Sequence, residues 1–355
     1  MTQVVWAELF ANRKKGQHRL FRIDGASVES FITSNFDLYA PPSNCVHKSI
    51  VVVYNHDTSI CEIEVKYPRN SSCPKTKSTR NDMLNVEELS LSEKVCYSTL
   101  RIEAAIPPNL TSTGTGFLFR FKVDDQLFIP CLVTNKHVID GSINTSLVIT
   151  CTLPDGRVSN EKVQVQTSFW KLHPDPDTDL CVLPIQPVFQ ILASQGKQPF
   201  FIPLDESLVP SSEQLDNLTA IEDIIMVGYP DGIWDSINNQ PIIRRGITAT
   251  HPKNDFNGKG EFLIDAACFP GSSGSPVLIL NQGGYVDKRG NLNWGASRVL
   301  LLGIMYAGPQ HTAEGGITFT SLPKTYTNIP NNLGLVIKSS RLMDFKPSLL
   351  AMVKL

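Results

Sequence analysis

Two adjacent serines, Ser272 and Ser273, sit between Gly271 and Gly274 in the run 265–276, and a serine held in such a turn can attack a carbonyl carbon. A glycine on each side lets the backbone take conformations that a Cβ forbids. It can also turn successive N–H groups toward the negative charge that develops on the attacked oxygen. A Gly/Ser cluster alone more often marks a solvent-facing loop between two elements, so the chemistry needs partners elsewhere in the chain. A serine hydroxyl is a weak nucleophile at neutral pH and requires a base within hydrogen-bond reach.

Two upstream segments supply the types of residue required. Residues 132–138 are an apolar run ending in Thr-Asn-Lys-His-Val, and residues 177–183 place a carboxylate at the start of a second apolar run. They resemble the histidine-bearing strand end and the aspartate segment of the chymotrypsin/trypsin-like serine protease superfamily. In its motifs the chain is closest to bacterial HtrA-type peptidases, without a PDZ domain. The resemblance implies His137 as general base, Asp179 as the carboxylate that orients it and Ser273 as nucleophile. It also implies the N–H groups of Gly271 and Ser273 as the oxyanion hole, and Ala267, Tyr306, Ala307 and Gly308 as substrate-binding residues. The chain order His, Asp, Ser is that of this superfamily, whereas subtilisins run Asp, His, Ser and α/β-hydrolases run Ser, Asp or Glu, His. Ser275 occupies the last position of a would-be Gly-x-Ser-x-Gly elbow, so that elbow is absent.

Competing residues lie close by. Asp175 and Asp177 flank Asp179, but both sit beside prolines in a turn-like stretch, while Asp179 abuts the apolar run 180–183. Ser272 and Ser275 compete with Ser273, which alone has Gly-x before it and Gly-x-Pro after it. The remaining histidines, His173 among them, read as surface or locally bonded residues.

Further segments carry the same resemblance. Residues 114–119 (Gly-Thr-Gly-Phe-Leu-Phe) are similar to the small-residue strand before the histidine, and Val227-Gly228-Tyr229-Pro230 with Gly232 to a turn in the second barrel. Residues 245–248 and 303–308 are similar to two later strands, the second of which pairs with substrate in the family. Three positions depart from it. Ser272 stands where trypsin-like zymogens keep an aspartate, so activation by a new N-terminus is not expected. Ala267 stands at the base of the specificity pocket where trypsin has a carboxylate, which favours a small or apolar side chain in substrate over Lys or Arg. Tyr306 replaces a small hydroxyl residue beside the triad aspartate.

The chain as a whole has 355 residues with 32 Lys plus Arg against 34 Asp plus Glu. That balance offers no general attraction for nucleic acid or an anionic membrane. No apolar run approaches the ~20 residues that span a bilayer, and the first residues make a poor export signal. The eight cysteines include no Cys-x-x-Cys pair, and several lie in apolar runs as small buried hydrophobes. The expectation is a cytoplasmic protein without cofactor or metal.

Short β-branched and aromatic runs separated by turn residues, such as 117–121, 146–151 and 299–302, argue an all-β architecture. Helical periodicity is confined to 188–193 and 339–353. With the resemblance, the expected fold is a chymotrypsin-like double β-barrel with a C-terminal helix over 96–355, preceded by a small β-rich accessory domain over 1–95. In that first domain, 49–54 and 60–67 read as a β-hairpin, followed by a basic stretch, 68–80, that reads as a solvated loop or a cleavable linker. The implied function is an intracellular serine endopeptidase acting on protein or peptide substrates, regulated by a partner through the N-terminal domain. The alternative is a catalytically silent protease-fold binding module.

Overall fold

The computed structural model describes residues 4–8, 49–55, 60–66, 86–308, 310–314 and 326–353. The chain divides into two compact units, Met1–Arg80 and Asn81–Leu355. In the first, β1 (Val4–Glu8), β2 (Ser49–Asn55) and β3 (Ile60–Lys66) form an antiparallel sheet with β2 in the middle. The two runs read as a hairpin pair from Ser49 opposite Lys66 to Asn55 opposite Ile60. The basic stretch 68–80 lies outside the described residues.

The second unit opens with α1 (Leu91–Cys96), started by a capping box in which Ser90 and Glu93 each satisfy the other's backbone N–H. A nine-stranded sheet follows. Its strands are β4 (Thr99–Ile106), β5 (Leu110–Lys122), β6 (Phe128–Thr134), β7 (Asn144–Thr152), β8 (Val158–Gln166), β9 (Lys171–Leu172), β10 (Cys181–Pro184), β11 (Gln198–Pro199) and β12 (Leu204–Asp205). The order is β11-β7-β4-β5-β6-β10-β9, with β8 paired to β7 and β12 parallel to β5. Between β6 and β7 lies the short helix α2 (Lys136–Ile139), and between β10 and β11 the amphipathic helix α3 (Gln186–Ser194), which buries Val188, Phe189 and Leu192.

After a short helix α4 (Ser212–Asp216), β13 (Asp223–Gly228), β14 (Ile242–Thr248), β15 (Glu261–Asp265) and β16 (Pro276–Asn281) begin the second half. A ribbon of β17 (Gly284–Val286) and β18 (Leu292–Trp294) precedes β19 (Arg298–Ala307), and a ribbon of β20 (Gln310–Glu314) and β21 (Tyr326–Pro330) precedes β22 (Leu333–Lys338). Six of these strands close into a barrel, β13-β14-β15-β22-β19-β16. The chain ends in a 3₁₀ turn (Ser339–Phe345) and helix α5 (Lys346–Val353). The architecture is all-β, as expected, with one closed barrel among the described residues and a helix at its C-terminal end. Among the described residues no helix is long and apolar enough to cross a membrane.

The period-2 alternation of strand side chains divides the core into three parts. On β5, Phe117, Phe119 and Phe121 face a central core while Leu118 faces the interior of the first sheet. On β19, Leu301 and Ile304 face the same central core while Leu300 and Leu302 fill the barrel. Leu342, Phe345 and Leu349, all 0% exposed, join that central core. The C-terminal segment therefore seals the seam between the sheet and the barrel, where the candidate catalytic residues are carried.

Candidate active site

The register of β6 on β10 sets the first half of the site. Cys181 lies opposite Thr134, so the antiparallel pairing carried two residues further brings Asp179 beside Lys136 and His137. Asp179 holds His137 at two points: one carboxylate oxygen accepts the His137 backbone N–H at 3.1 Å, and the other meets Nδ1 at 2.5 Å. A carboxylate accepts only, so Nδ1 carries the proton and Nε2 is left as the basic nitrogen. The side chain of Asn135 donates to the Asp179 carbonyl at 2.7 Å, fixing the backbone behind the carboxylate. Burial raises the Asp179 carboxyl, but the hydrogen bond and charge of His137, with the backbone N–H groups of His137 and Lys136, outweigh it and hold the carboxyl below its ordinary range. Of the three neighbouring aspartates, Asp179 is the one in contact with His137, while Asp175 accepts from the Asp177 N–H and the Thr178 hydroxyl.

The serine loop lies between β15 and β16, and its glycines have a geometric cause. Gly271 and Gly274 have φ of +85° and +88°. A Cβ on Gly274 would come within 1.8 Å of the Thr115 carbonyl oxygen, and one on Gly271 within 2.4 Å of the Tyr229 carbonyl oxygen. Ser272 and Ser275 are buried at 1% and 0% exposure, and their hydroxyls have no hydrogen-bond partner among the described residues; Ser273 is the partly exposed member of the three. The Ser273 hydroxyl donates to the Tyr306 carbonyl at 3.3 Å. The N–H groups of Ser272 and Gly274 are used internally, by the carbonyls of Phe269 and Met305. Among the described residues those of Gly271 and Ser273 have no acceptor.

The segment after His137 and the serine loop both pack against β5. A Cβ on Gly114 would clash at 2.4 Å with the Val138 side chain, which places the segment after His137 hard against β5. One residue further, the Thr115 N–H donates to the Ser273 carbonyl at 2.9 Å. Tyr306 joins the same cluster. Burial raises its phenol first, followed by a hydrogen bond with Glu261 and then by the charges of Glu261 and Asp179.

A pocket of about 160 Å³ adjoins Ser273 and is lined by Cys268, Phe269, Pro270, Met305, Tyr306, Ala307 and Gly308. Three of the four expected substrate-binding residues line it. Ala267 does not; the lining begins at Cys268, whose thiol burial pushes up to about 11 and keeps protonated. No lining side chain is a carboxylate or a cation, and Met305, Phe269 and Pro270 give the pocket part of its surface.

Sequence reading missed one residue that organises the site. Thr115, 0% exposed, donates its hydroxyl to the Gly271 carbonyl at 2.8 Å and accepts the Tyr229 N–H at 3.0 Å, while its own carbonyl accepts the Thr134 hydroxyl at 2.6 Å. It ties the serine loop to the turn after β13 and to the end of the histidine strand. The signal in the sequence was its place between two glycines in a strand, a mark of close backbone approach. Thr115→Val preserves shape but leaves a buried N–H and a buried carbonyl unpaired. Each costs about 1–3 kcal/mol, so urea denaturation should show a loss of about 2 kcal/mol or more.

Residues 114–286, just under half of the chain, match the trypsin-like peptidase domain. No curated protein matches the chain. Among solved structures it is similar to the HtrA-type protease AlgW with a tripeptide, at 19% identity over 73% of this chain and 62% of that one, with a TM-score of 0.39. It is also similar to the Rv3671c protease of M. tuberculosis in its active form, at 16% identity over 71% of this chain and 80% of that one, with a TM-score of 0.37. The chain spans less than two thirds of the length of the first of these.

Proposed function

We propose that this chain, carrying a trypsin-like peptidase domain, is an intracellular serine endopeptidase that works through Ser273, His137 and Asp179. The observation that carries the reading is the double hold of the Asp179 carboxylate on His137, at Nδ1 and at the backbone N–H, which dedicates Nε2 to taking a proton. Binding of a substrate backbone N–H to the Tyr306 carbonyl releases the Ser273 hydroxyl from its 3.3 Å hydrogen bond. The freed Oγ attacks the scissile carbonyl as its proton passes to Nε2. The negative charge on the tetrahedral oxygen is taken by the N–H groups of Gly271 and Ser273, each worth roughly 3 kcal/mol in such sites. Nε2 then returns the proton to the leaving amine, and water reverses the sequence to release the acid. The five described cysteines, all free and buried, suit a reducing compartment. The N-terminal unit, Met1–Arg80, is assigned a regulatory, partner-binding role in this reading.

The pocket beside Ser273, whose lining holds no carboxylate, selects the residue on the acyl side of the cut bond. A Lys or Arg there would bring an unpaired charge against Met305, Phe269 and the protonated Cys268. In a peptide library varied at that residue, kcat/KM for Val, Leu or Met should exceed that for Lys or Arg by on the order of 100-fold, about 2.7 kcal/mol. Equal rates would contradict the pocket assignment. A folded protein that cleaves no member of the library would favour a silent binding module instead.

A further inference from the structure

We propose that Arg341, in the 3₁₀ turn at the C-terminal end of the chain, is a positioning residue for Asp179, so that the catalytic carboxylate is set only when the C-terminal segment is docked. The inference rests on the assignment of Asp179 as the orienting carboxylate.

Asp179 ends a loop that begins at His173, and no strand pairing holds that loop between β9 and β10. Its hydrogen bonds come from three directions. From within, the Thr178 hydroxyl donates to Asp175 at 2.9 Å and the Asp177 N–H to Asp175 at 3.0 Å. From the histidine side, Lys136 donates to the carbonyls of Asp175 and Pro176, both at 3.1 Å, and Asn135 to the Asp179 carbonyl at 2.7 Å. From the C-terminal turn, the Arg341 guanidinium pairs with the Asp175 carboxylate and donates to the Thr178 hydroxyl at 2.8 Å.

The last contact lies next to the working group, since Thr178 precedes Asp179 directly. The Thr178 hydroxyl spends its proton on Asp175, so its lone pair serves Arg341. One guanidinium nitrogen, Nη2, serves both acceptors while the other, Nη1, pairs with Asp344 at 3.1 Å, a division between two fixed nitrogens that the single nitrogen of an ammonium does not reproduce.

The turn is itself fixed against the other end of the loop. His173, with a fully buried side chain, accepts the Asp175 N–H at Nδ1 and therefore carries its proton on Nε2, which donates to the Arg341 carbonyl at 3.1 Å. Its ring meets Phe345 edge-on at 5.0 Å, and Phe345 is anchored in the central core. Because β22 runs straight into this turn, a strand of the barrel reaches through it to the aspartate loop of the sheet.

Arg341 contacts neither His137 nor Ser273, so its effect must pass through Asp179 to the imidazole. Removing it should lower the chemical rate and leave substrate binding alone. A displacement of the order of 1 Å in a catalytic group costs up to about 100-fold.

The test is kcat and KM for the full chain on a peptide substrate, with active sites counted by fluorophosphonate titration, for wild type, Arg341→Met, Arg341→Lys, Asp179→Asn and the Arg341→Met/Asp179→Asn double variant. Expected are a loss of about 10- to 100-fold in kcat for Arg341→Met with KM within about twofold, and an intermediate kcat for Arg341→Lys. In the Asp179→Asn background, Arg341→Met should cost less than about threefold, because the group through which it acts is already disabled. Wild-type kcat in Arg341→Met, or an undiminished loss in the double variant, would overturn the proposal. Should Arg341→Met not fold, Asp175→Asn removes the same link from the other side and is read in the same cycle. An unchanged kcat in Asp179→Asn alone would instead strike the underlying triad assignment.

Discussion

Replacing Ser273 by alanine is expected to lower kcat for a peptide amide by about 10⁶-fold, the loss typical when the nucleophile of a coupled triad is removed. The neighbouring serines are the decisive controls. Ser272 and Ser275 have buried hydroxyls that find no hydrogen-bond partner among the described residues, so Ser272→Ala and Ser275→Ala remove a polar atom that makes no bond to them. Their stability should be unchanged or slightly raised, and their kcat should stay within about tenfold of wild type. KM in Ser273→Ala should change little, since the pocket lined by Met305, Ala307 and Gly308 is untouched. A comparable loss in Ser272→Ala would move the nucleophile by one residue and contradict the exposure argument.

Asp179→Asn should lower kcat by about 10⁴-fold without unfolding the protein, the magnitude seen when a triad carboxylate becomes an amide. The two-point hold explains why the amide is so harmful here. The position of the oxygen that accepts the His137 backbone N–H must remain an acceptor, so the amide oxygen goes there. The NH₂ group is then left facing Nδ1, a donor against what was a donor. The imidazole responds by moving its proton to Nε2, and a protonated Nε2 cannot take the serine proton.

The same residue gives a pH signature. Its folded-state pKa is depressed, by interactions with His137 that outweigh burial, so its contribution to stability is present above the unfolded carboxylate range and is lost as pH falls through the folded value. The melting temperature of wild type should exceed that of Asp179→Asn at neutral pH. The gap should close as the pH drops below the ordinary carboxylate range, as differential scanning calorimetry across that range would show. A gap that widens on acidification would reverse the assigned direction.

What could be read from the sequence follows from how local each signal is. The apolar run of β10 begins just after Asp179, and that boundary separated it from Asp175 and Asp177 before any geometry was known. The aromatic run 117–121 marked a strand, and the structure buries Phe117, Phe119 and Phe121 on one face of it, in the central core. The tail read as helical over 339–353 is a 3₁₀ turn followed by α5, a distinction of backbone tightness that side-chain spacing does not encode. The short helices α1 and α4 went unseen although Ser90 with Glu93 and Ser211 with Gln214 are capping boxes, because six and five residues are too few to show a period of 3.6.

The remaining gaps concern contacts between residues far apart in the chain. The Thr115 hydroxyl reaches Gly271 across 156 positions, and Arg341 reaches Asp175 across 166. Nothing near either residue announces its partner. The pocket beside Ser273 shows the same limit on a smaller scale, since its lining begins at Cys268, one residue after Ala267.

The most direct measurement of the central claim is fluorophosphonate labelling of the intact chain, with the modified peptide located by mass spectrometry. A reactive serine requires nucleophile, base and oxyanion donors in one place, so the account predicts a single adduct on Ser273, absent from Ser273→Ala and strongly slowed in His137→Ala. An adduct of equal yield in Ser273→Ala, or no adduct at all in the folded wild-type protein, would contradict it.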